Sequence, residues 1–307
     1  MKWLGVCVSV AMALSAPTAA AVPSVLFIGN SFTFGSGSAV RFYRANTVTD
    51  LNNEGTGGMP ALFKSFMQQS HLDADVVLET YPGVGLDYHL KNKMTQIGSH
   101  RWDTVVMHGF STLDADKPGD PAKLVATSKE MADALRAKNP KVELFLMATW
   151  SRADQVYPAR GAWNGKPIDV MARDVRKGYD AAAAGASIKT VIPVGEAWNR
   201  AIQTGVADAN PYDGIDAGKL NLWTYDSYHA STAGYYLEAL VVFGSVTGRD
   251  PRSLTANECS GFELGLSTAE VRKLQQVAFD ELSIGGASLT PSPAATTGGA
   301  QRCVANR

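Results

Sequence analysis

Short apolar runs alternate with amphipathic segments along most of the chain. The runs lie at residues 25–28, 75–80, 104–107, 142–148 and 190–194. They are apolar or β-branched with little alternation, which is typical of strands covered on both faces. The segments between them have helical spacing, as at 121–138, where Leu124, Met131 and Leu135 share one face. Strands and helices in this order predict parallel pairing through right-handed crossovers, in a three-layer α/β/α sandwich with about five strands.

The two ends of the chain differ from this pattern. Lys2 precedes an apolar stretch at 3–14 and the small residues Ala19-Ala20-Ala21, which is the pattern of a secretory signal peptide cleaved near Ala21. The stretch is too short to span a bilayer, and no later segment is long and apolar enough. We therefore expect residues 1–21 to be a signal peptide and the mature protein to be secreted or periplasmic. Residues 22–290 should form one domain, followed by a flexible polar tail at 291–307.

Three cysteines bear on the redox compartment. Cys7 lies within the predicted signal peptide, which leaves Cys259 and Cys303. Neither has a histidine nearby in sequence, as a metal site or a thiol nucleophile would need. In an oxidising compartment the simplest prediction is one disulfide, which would tether the tail through Cys303.

The charge balance limits the classes of partner. The chain has 28 basic and 29 acidic side chains and a formal net charge of −1, so no global field attracts nucleic acid. The sequence has no His-x-x-x-His, no Cys-x-x-Cys and no acidic loop with calcium-binding spacing. We expect a monomer without a metal or cofactor.

Candidate chemistry begins where the first strand ends. Ser31 follows this strand, at the edge of a parallel sheet where ligands bind, although most serines in such places only cap a helix. Asp226 and His229 are three residues apart, just before an apolar helix. One turn can place the carboxylate against one imidazole nitrogen and leave the other nitrogen facing outward. A serine needs such an oriented base to become nucleophilic at neutral pH, so the combination favours catalysis.

These two motifs resemble the SGNH/GDSL hydrolase superfamily of secreted serine hydrolases. Residues 29–33, Gly-Asn-Ser-Phe-Thr, match the first block of that family, and residues 226–229, Asp-Ser-Tyr-His, match the last. The resemblance implies a flavodoxin-like parallel sheet. It also implies that Ser31 is the nucleophile, His229 the general base and acid, and Asp226 the residue that orients His229.

The middle blocks of the family match less closely. The resemblance implies that a glycine after the second strand donates its N–H to the oxyanion; Gly83 is the best match and Gly85 the second. The family's third block carries Gly-x-Asn-Asp, whereas this chain has His108-Gly109-Phe110-Ser111. Two interpretations of His108 stay open, an oxyanion donor or a structural hydrogen bond under the loop. Without His108, the hole would rest on the Ser31 and Gly83 N–H groups. His71, His89 and His100 are expected to be surface or packing residues.

The predicted reaction is hydrolysis of an ester through an acyl-enzyme. Aromatic and amide side chains able to stack on or bind sugar rings favour an acetylated carbohydrate as substrate: Trp150, Tyr157, Trp163, Asn164, Trp198 and Trp223. The alternatives are an ester of a lipid or a small acyl group, and a catalytically silent secreted carbohydrate-binding protein on the same fold.

Overall fold

The central sheet has six parallel strands in the order β2-β3-β1-β4-β5-β6. A computed structural model describes residues 22–256 and 258–292 of the chain. The strands are β1 Ser24–Gly29, β2 Thr49–Asp50, β3 Asp75–Thr80, β4 Thr104–Met107, β5 Glu143–Ala148 and β6 Thr190–Pro193. The predicted parallel α/β fold is confirmed. The sixth strand is β2, a two-residue edge strand that is too short to leave a hydrophobic pattern.

Helices cover both faces of the sheet. They are α1 Ser31–Phe34, α2 Gly58–Gln69, α3 Leu86–Asn92, α4 Met94–Ile97, α5 Ala122–Lys138, α6 Ala153–Val156, α7 Ile168–Ala186, α8 Val194–Gln203, α9 Thr232–Thr247, α10 Cys259–Glu263 and α11 Thr268–Ile284. Short 3₁₀ helices lie at Ala39–Phe42, Ala45–Thr47 and Pro251–Leu254. Helices α3, α5 and α7 pack together in one layer, and α2, α9 and α11 in the other. This is the predicted three-layer sandwich.

The strand register brings three loops to one edge of the sheet. Ile28 of β1 lies opposite Glu79 of β3 on one side and Met107 of β4 on the other. Because the strands are parallel, the loops that follow all three emerge together at their carboxyl ends. Ser31 begins α1 just after β1, and Gly83 and His108 are on the loops after β3 and β4.

Most of the aromatic side chains predicted to stack on sugars lie in the core. Trp150, Trp163, Trp198 and Trp223 are all buried. Trp150 and Trp198 stack with their ring centroids 4.7 Å apart, and Trp223 packs edge-on against Trp198 at 5.3 Å. The prediction that these indoles bind sugar rings is therefore wrong, because burial leaves their ring faces inaccessible to a ligand. Tyr157 is only half-buried.

The chain ends lie outside the described residues. They include the predicted signal peptide at 1–21 and most of the tail with Cys303, so the Cys259–Cys303 disulfide stays a prediction. Cys259 is buried at the start of α10. Within residues 22–256 and 258–292, no helix has the length and apolarity needed to cross a membrane.

Candidate active site

A tight turn from β1 into α1 holds Ser31. Asn30 caps α1, because its side-chain oxygen accepts a hydrogen bond from the Phe32 N–H at 3.0 Å. The Asn30 amide nitrogen donates to the carbonyls of Val84 at 2.8 Å and Gly109 at 3.2 Å. Asn30 thus joins the loops after β1, β3 and β4. Ser31 follows as the first residue of α1 and is 5% exposed.

The position before this turn requires glycine. A Cβ atom at Gly29 would collide with the His108 ring and the Thr33 hydroxyl. The absence of a side chain therefore lets the loop after β4 pack directly against the turn that carries Ser31.

His229 is oriented by Asp226 and reaches Ser31. The Asp226 Oδ1 atom accepts the N–H groups of Tyr228 and His229, each at 2.9 Å. The Oδ2 atom lies 2.6 Å from His229 Nδ1, and His229 Nε2 lies 2.9 Å from Ser31 Oγ. A carboxylate can only accept, so Nδ1 carries the proton and Nε2 accepts from the serine hydroxyl. The structure brings together all three residues that were predicted to form the triad.

The environment keeps Asp226 ionised. Partial burial alone would raise the pKa of this carboxyl group. The hydrogen bonds from the His229 ring and from the backbone N–H groups of His229 and Tyr228 outweigh burial and lower its pKa below the usual value. The charged form is the one that holds the Nδ1–H tautomer of His229.

Tyr228 and Arg152 form a stack against one face of the His229 imidazole. The Tyr228 ring lies 4.0 Å from the His229 ring at an interplanar angle of 30°. The Arg152 guanidinium carbon lies 3.5 Å from the centre of the Tyr228 ring. Two hydrogen bonds to Asp154, at 3.0 and 2.7 Å, and one to Ser111 Oγ at 3.2 Å fix the guanidinium. Sequence reasoning missed Arg152, because nothing along the chain links it to Tyr228.

Backbone N–H groups near Ser31 are available to an oxyanion. Within residues 22–256 and 258–292, the N–H groups of Ser31, Gly83 and Gly85 make no hydrogen bond. Gly83 is exposed, with a φ of +70° that favours glycine. It precedes Val84, whose carbonyl Asn30 binds. Gly83 therefore lies on a loop tied to the Ser31 turn.

The His108 ring has no free nitrogen. Its Nδ1–H donates to the Gly109 carbonyl at 3.0 Å, and its Nε2 accepts from the Thr33 hydroxyl at 2.8 Å. The ring is 2% exposed, and burial lowers its pKa to about 4, so it is neutral at physiological pH. This geometry favours the structural interpretation of His108. The N–H of Gly109 is also occupied, because it donates to the Tyr179 hydroxyl at 2.8 Å.

No metal centre is evident near this site. In the part of the chain that the structure describes, no group of three or more His, Cys, Asp or Glu side chains is arranged to hold an ion.

The fold and site together define a class, a parallel α/β protein with a serine, histidine and aspartate linked by hydrogen bonds at the sheet edge. No family model and no curated protein matches the sequence. A DUF4886 family protein from Bacteroides uniformis has a similar structure, with a TM-score of 0.60 and 16% identity over 88% of this chain and 98% of that chain. So does a protein assigned as a GDSL-like lipase from Parabacteroides merdae, with a TM-score of 0.52 and 14% identity over 74% of this chain and 98% of that chain. The fold that the SGNH/GDSL resemblance implied is confirmed.

Proposed function

We propose that this protein is a serine hydrolase that cleaves carboxylic esters. One observation carries the proposal: Ser31 Oγ lies 2.9 Å from His229 Nε2, and His229 Nδ1 lies 2.6 Å from Asp226 Oδ2. A hydroxyl, an imidazole and a carboxylate in this order are the parts of a nucleophile activated by a general base. The SGNH/GDSL-like fold agrees with this chemistry.

The reaction would proceed in two halves. Ser31 Oγ attacks the ester carbonyl while His229 Nε2 takes the hydroxyl proton, and Asp226 stabilises the imidazolium. The tetrahedral intermediate collapses, the bond to the alcohol oxygen breaks, and His229 returns the proton to the leaving alcohol. Water then attacks the acyl-serine with His229 as base, which releases the acid and restores Ser31.

The oxyanion would be held by backbone groups. The N–H of Ser31 and that of Gly83 are the candidate donors, with Gly85 as the alternative to Gly83, since none of the three has a partner among the described residues. His108 is left out of this role because both of its ring nitrogens already have partners. A hole with two donors is expected to be slower than one with three, because a single donor is typically worth about 100- to 1000-fold in kcat.

Location and substrate are also part of the proposal. The apolar segment at 3–14 and the small residues up to Ala21 support action outside the cytoplasm. The favoured carbohydrate ester and the silent carbohydrate binder have both lost much of their support, since four of the six side chains that suggested a sugar site are buried.

Hydrolysis of p-nitrophenyl acetate and butyrate tests the function. Wild type is expected to release p-nitrophenol, and Ser31→Ala to lose this activity. Ser36→Ala is the matched control, because Ser36 is half-buried in the same segment and its hydroxyl makes no hydrogen bond with a described residue. Wild-type turnover by Ser31→Ala would refute the assignment. No ester turnover by a folded protein that binds glycans would favour the silent binder.

A further inference from the structure

A groove opens beside the turn that carries Ser31, and the proposed mechanism uses only its Gly83 end. It has a volume of about 400 Å³ and runs from the loops after β3 and β4 to helices α3 and α5. Its inner wall includes Leu86, Leu113 and Leu124, all of which are buried side chains of the core. The volume falls in the range of small-molecule clefts, roughly 300 to 1,000 Å³. It is far larger than an acetyl group needs.

The groove is continuous with the candidate oxyanion site. Gly83, Val84 and Gly109 line it. The carbonyls of Val84 and Gly109 are the two acceptors of the Asn30 amide, and Asn30 immediately precedes Ser31. A group bound in the groove would therefore lie against the loop that supplies the Gly83 N–H.

The rim of the groove carries charges that balance. Lys123 pairs with Asp114 at 2.8 Å, and Asp87 and Lys91 lie on α3 with opposite charges. Neither sign is in excess, so the groove does not select a charged group. The apolar lining residues that remain accessible, Val84, Phe110 and Ala115, instead favour an uncharged, apolar one.

The position of the general acid, His229, determines which half of the ester enters the groove. His229 Nε2 must protonate the leaving oxygen, so the alcohol lies on the His229 side of Ser31. No residue of the loop at 224–231, which carries Asp226 and His229, lines the groove. The groove follows Gly83 and Gly109 instead, so it is open to the acyl substituent of a carbonyl held by the Gly83 N–H.

We infer that this groove binds the acyl chain of the substrate, and that the protein prefers esters of apolar acyl groups longer than acetyl. The inference rests on the proposed function of Ser31. Each methylene that enters an apolar groove can raise kcat/KM by up to about fourfold, so a medium-length chain gives a large effect.

Two isomeric esters separate the acyl from the alcohol preference. Ethyl octanoate and octyl acetate have the same formula, but the long chain is on the acyl side of one and the alcohol side of the other. We expect kcat/KM for ethyl octanoate to exceed that for octyl acetate by at least about tenfold, measured by acid release in a pH-stat. Equal rates, or a preference for octyl acetate, would overturn the inference.

A pair of neighbouring variants on α5 locates the effect. Thr127 is half-buried and lines the groove, whereas Ala126 is exposed and does not. Thr127→Trp should lower the ratio of the two kcat/KM values about tenfold, and Ala126→Trp should leave it unchanged. A ratio that Thr127→Trp does not alter would show that the chain binds elsewhere. Failure of the proposed function looks different, since neither ester would then be cleaved in a reaction that depends on Ser31.

Discussion

Two histidines at the same edge of the sheet, His229 and His108, have different kinds of hydrogen-bond partner. His229 has one nitrogen fixed by a carboxylate and the other 2.9 Å from a serine hydroxyl. His108 lies on the loop after β4, but its two ring nitrogens form hydrogen bonds to the Gly109 carbonyl and the Thr33 hydroxyl. His229 can exchange a proton with a substrate, whereas His108 holds the loop after β4 against the Ser31 turn.

Hydrogen-bond partners, rather than residue type or position, decide what a histidine does at this edge of the sheet. His89 supports this view. It is completely buried, its Nε2–H donates to the Gly29 carbonyl at 2.9 Å, and its Nδ1 bonds to Glu79. His89 therefore anchors the backbone before the turn, and His108 binds the Thr33 side chain within it. His229 is the only one of the three that hydrogen-bonds to Ser31.

The largest expected difference is in kcat. His229→Ala should lower kcat for ester hydrolysis by at least about 10⁴-fold, because Ser31 loses its base. His108→Gln, which keeps one of the two hydrogen bonds, should retain most of the activity and lower the free energy of unfolding by about 1 to 2 kcal/mol. Steady-state kinetics and urea unfolding of both variants measure these effects. A similar loss of kcat in the two variants would show that the two histidines do not differ in role.

Asp226→Asn tests the orientation of His229. An asparagine can still accept the backbone N–H groups of Tyr228 and His229 with its oxygen. Its NH₂ group would then face Nδ1 and force the proton onto Nε2, which could no longer accept from Ser31. We expect kcat to fall by about 10³- to 10⁴-fold with little change in thermal stability. Full activity in this variant would mean that the carboxylate is not needed.

The pH dependence of stability should report on His108. Its pKa is lowered from 6.5 to about 4, chiefly by burial, so the folded imidazole stays neutral while the unfolded one gains a proton below pH 6.5. The unfolded state then binds more protons, and stability falls as the pH drops from 6.5 towards 4, by up to about 3 kcal/mol.

Urea unfolding of wild type and His108→Gln across pH 4 to 7 isolates this contribution. Other groups titrate in both proteins, so the difference between the two curves belongs to His108. We expect the variant to show the shallower dependence. Parallel curves would mean that the folded imidazole is protonated as readily as the unfolded one.

The smallest expected effect concerns the stack behind His229. Arg152→Met removes the guanidinium over the Tyr228 ring and should lower kcat about 2- to 10-fold with KM unchanged, since it loosens the imidazole without touching the substrate. Arg160→Met is the control, because Arg160 is an exposed arginine of the same loop. Equal kinetics for the two variants would remove Arg152 from the positioning of His229.

The sequence predicted the parts of the site that depend on residues close together along the chain. Ser31 follows a buried strand, and Asp226 and His229 are separated by one turn, so pattern and spacing predicted their neighbourhood. The edge position of these loops followed from parallel pairing. The same pattern of strand and following loop predicted that Gly83 lies after β3.

Features that depend on contacts between distant segments could not be predicted. Apolar pattern does not distinguish a tryptophan that packs in the core from one that faces a ligand, and Trp150 and Trp198 proved to be stacked on each other. The Asn30 bridges and the position of Arg152 over Tyr228 arise only when separate loops meet. The hydrogen-bond partners of His108 also depend on contacts between distant segments, so the sequence left its role open.

Covalent labelling with a fluorophosphonate tests the central claim most directly. The probe reacts with a serine only when a base activates it. If Ser31 is the nucleophile, peptide mass spectrometry will find one adduct per wild-type chain, on Ser31, and none in His229→Ala, while His108→Gln will still be labelled. An adduct on a different serine, or no adduct on a folded and otherwise intact wild-type protein, would contradict the claim.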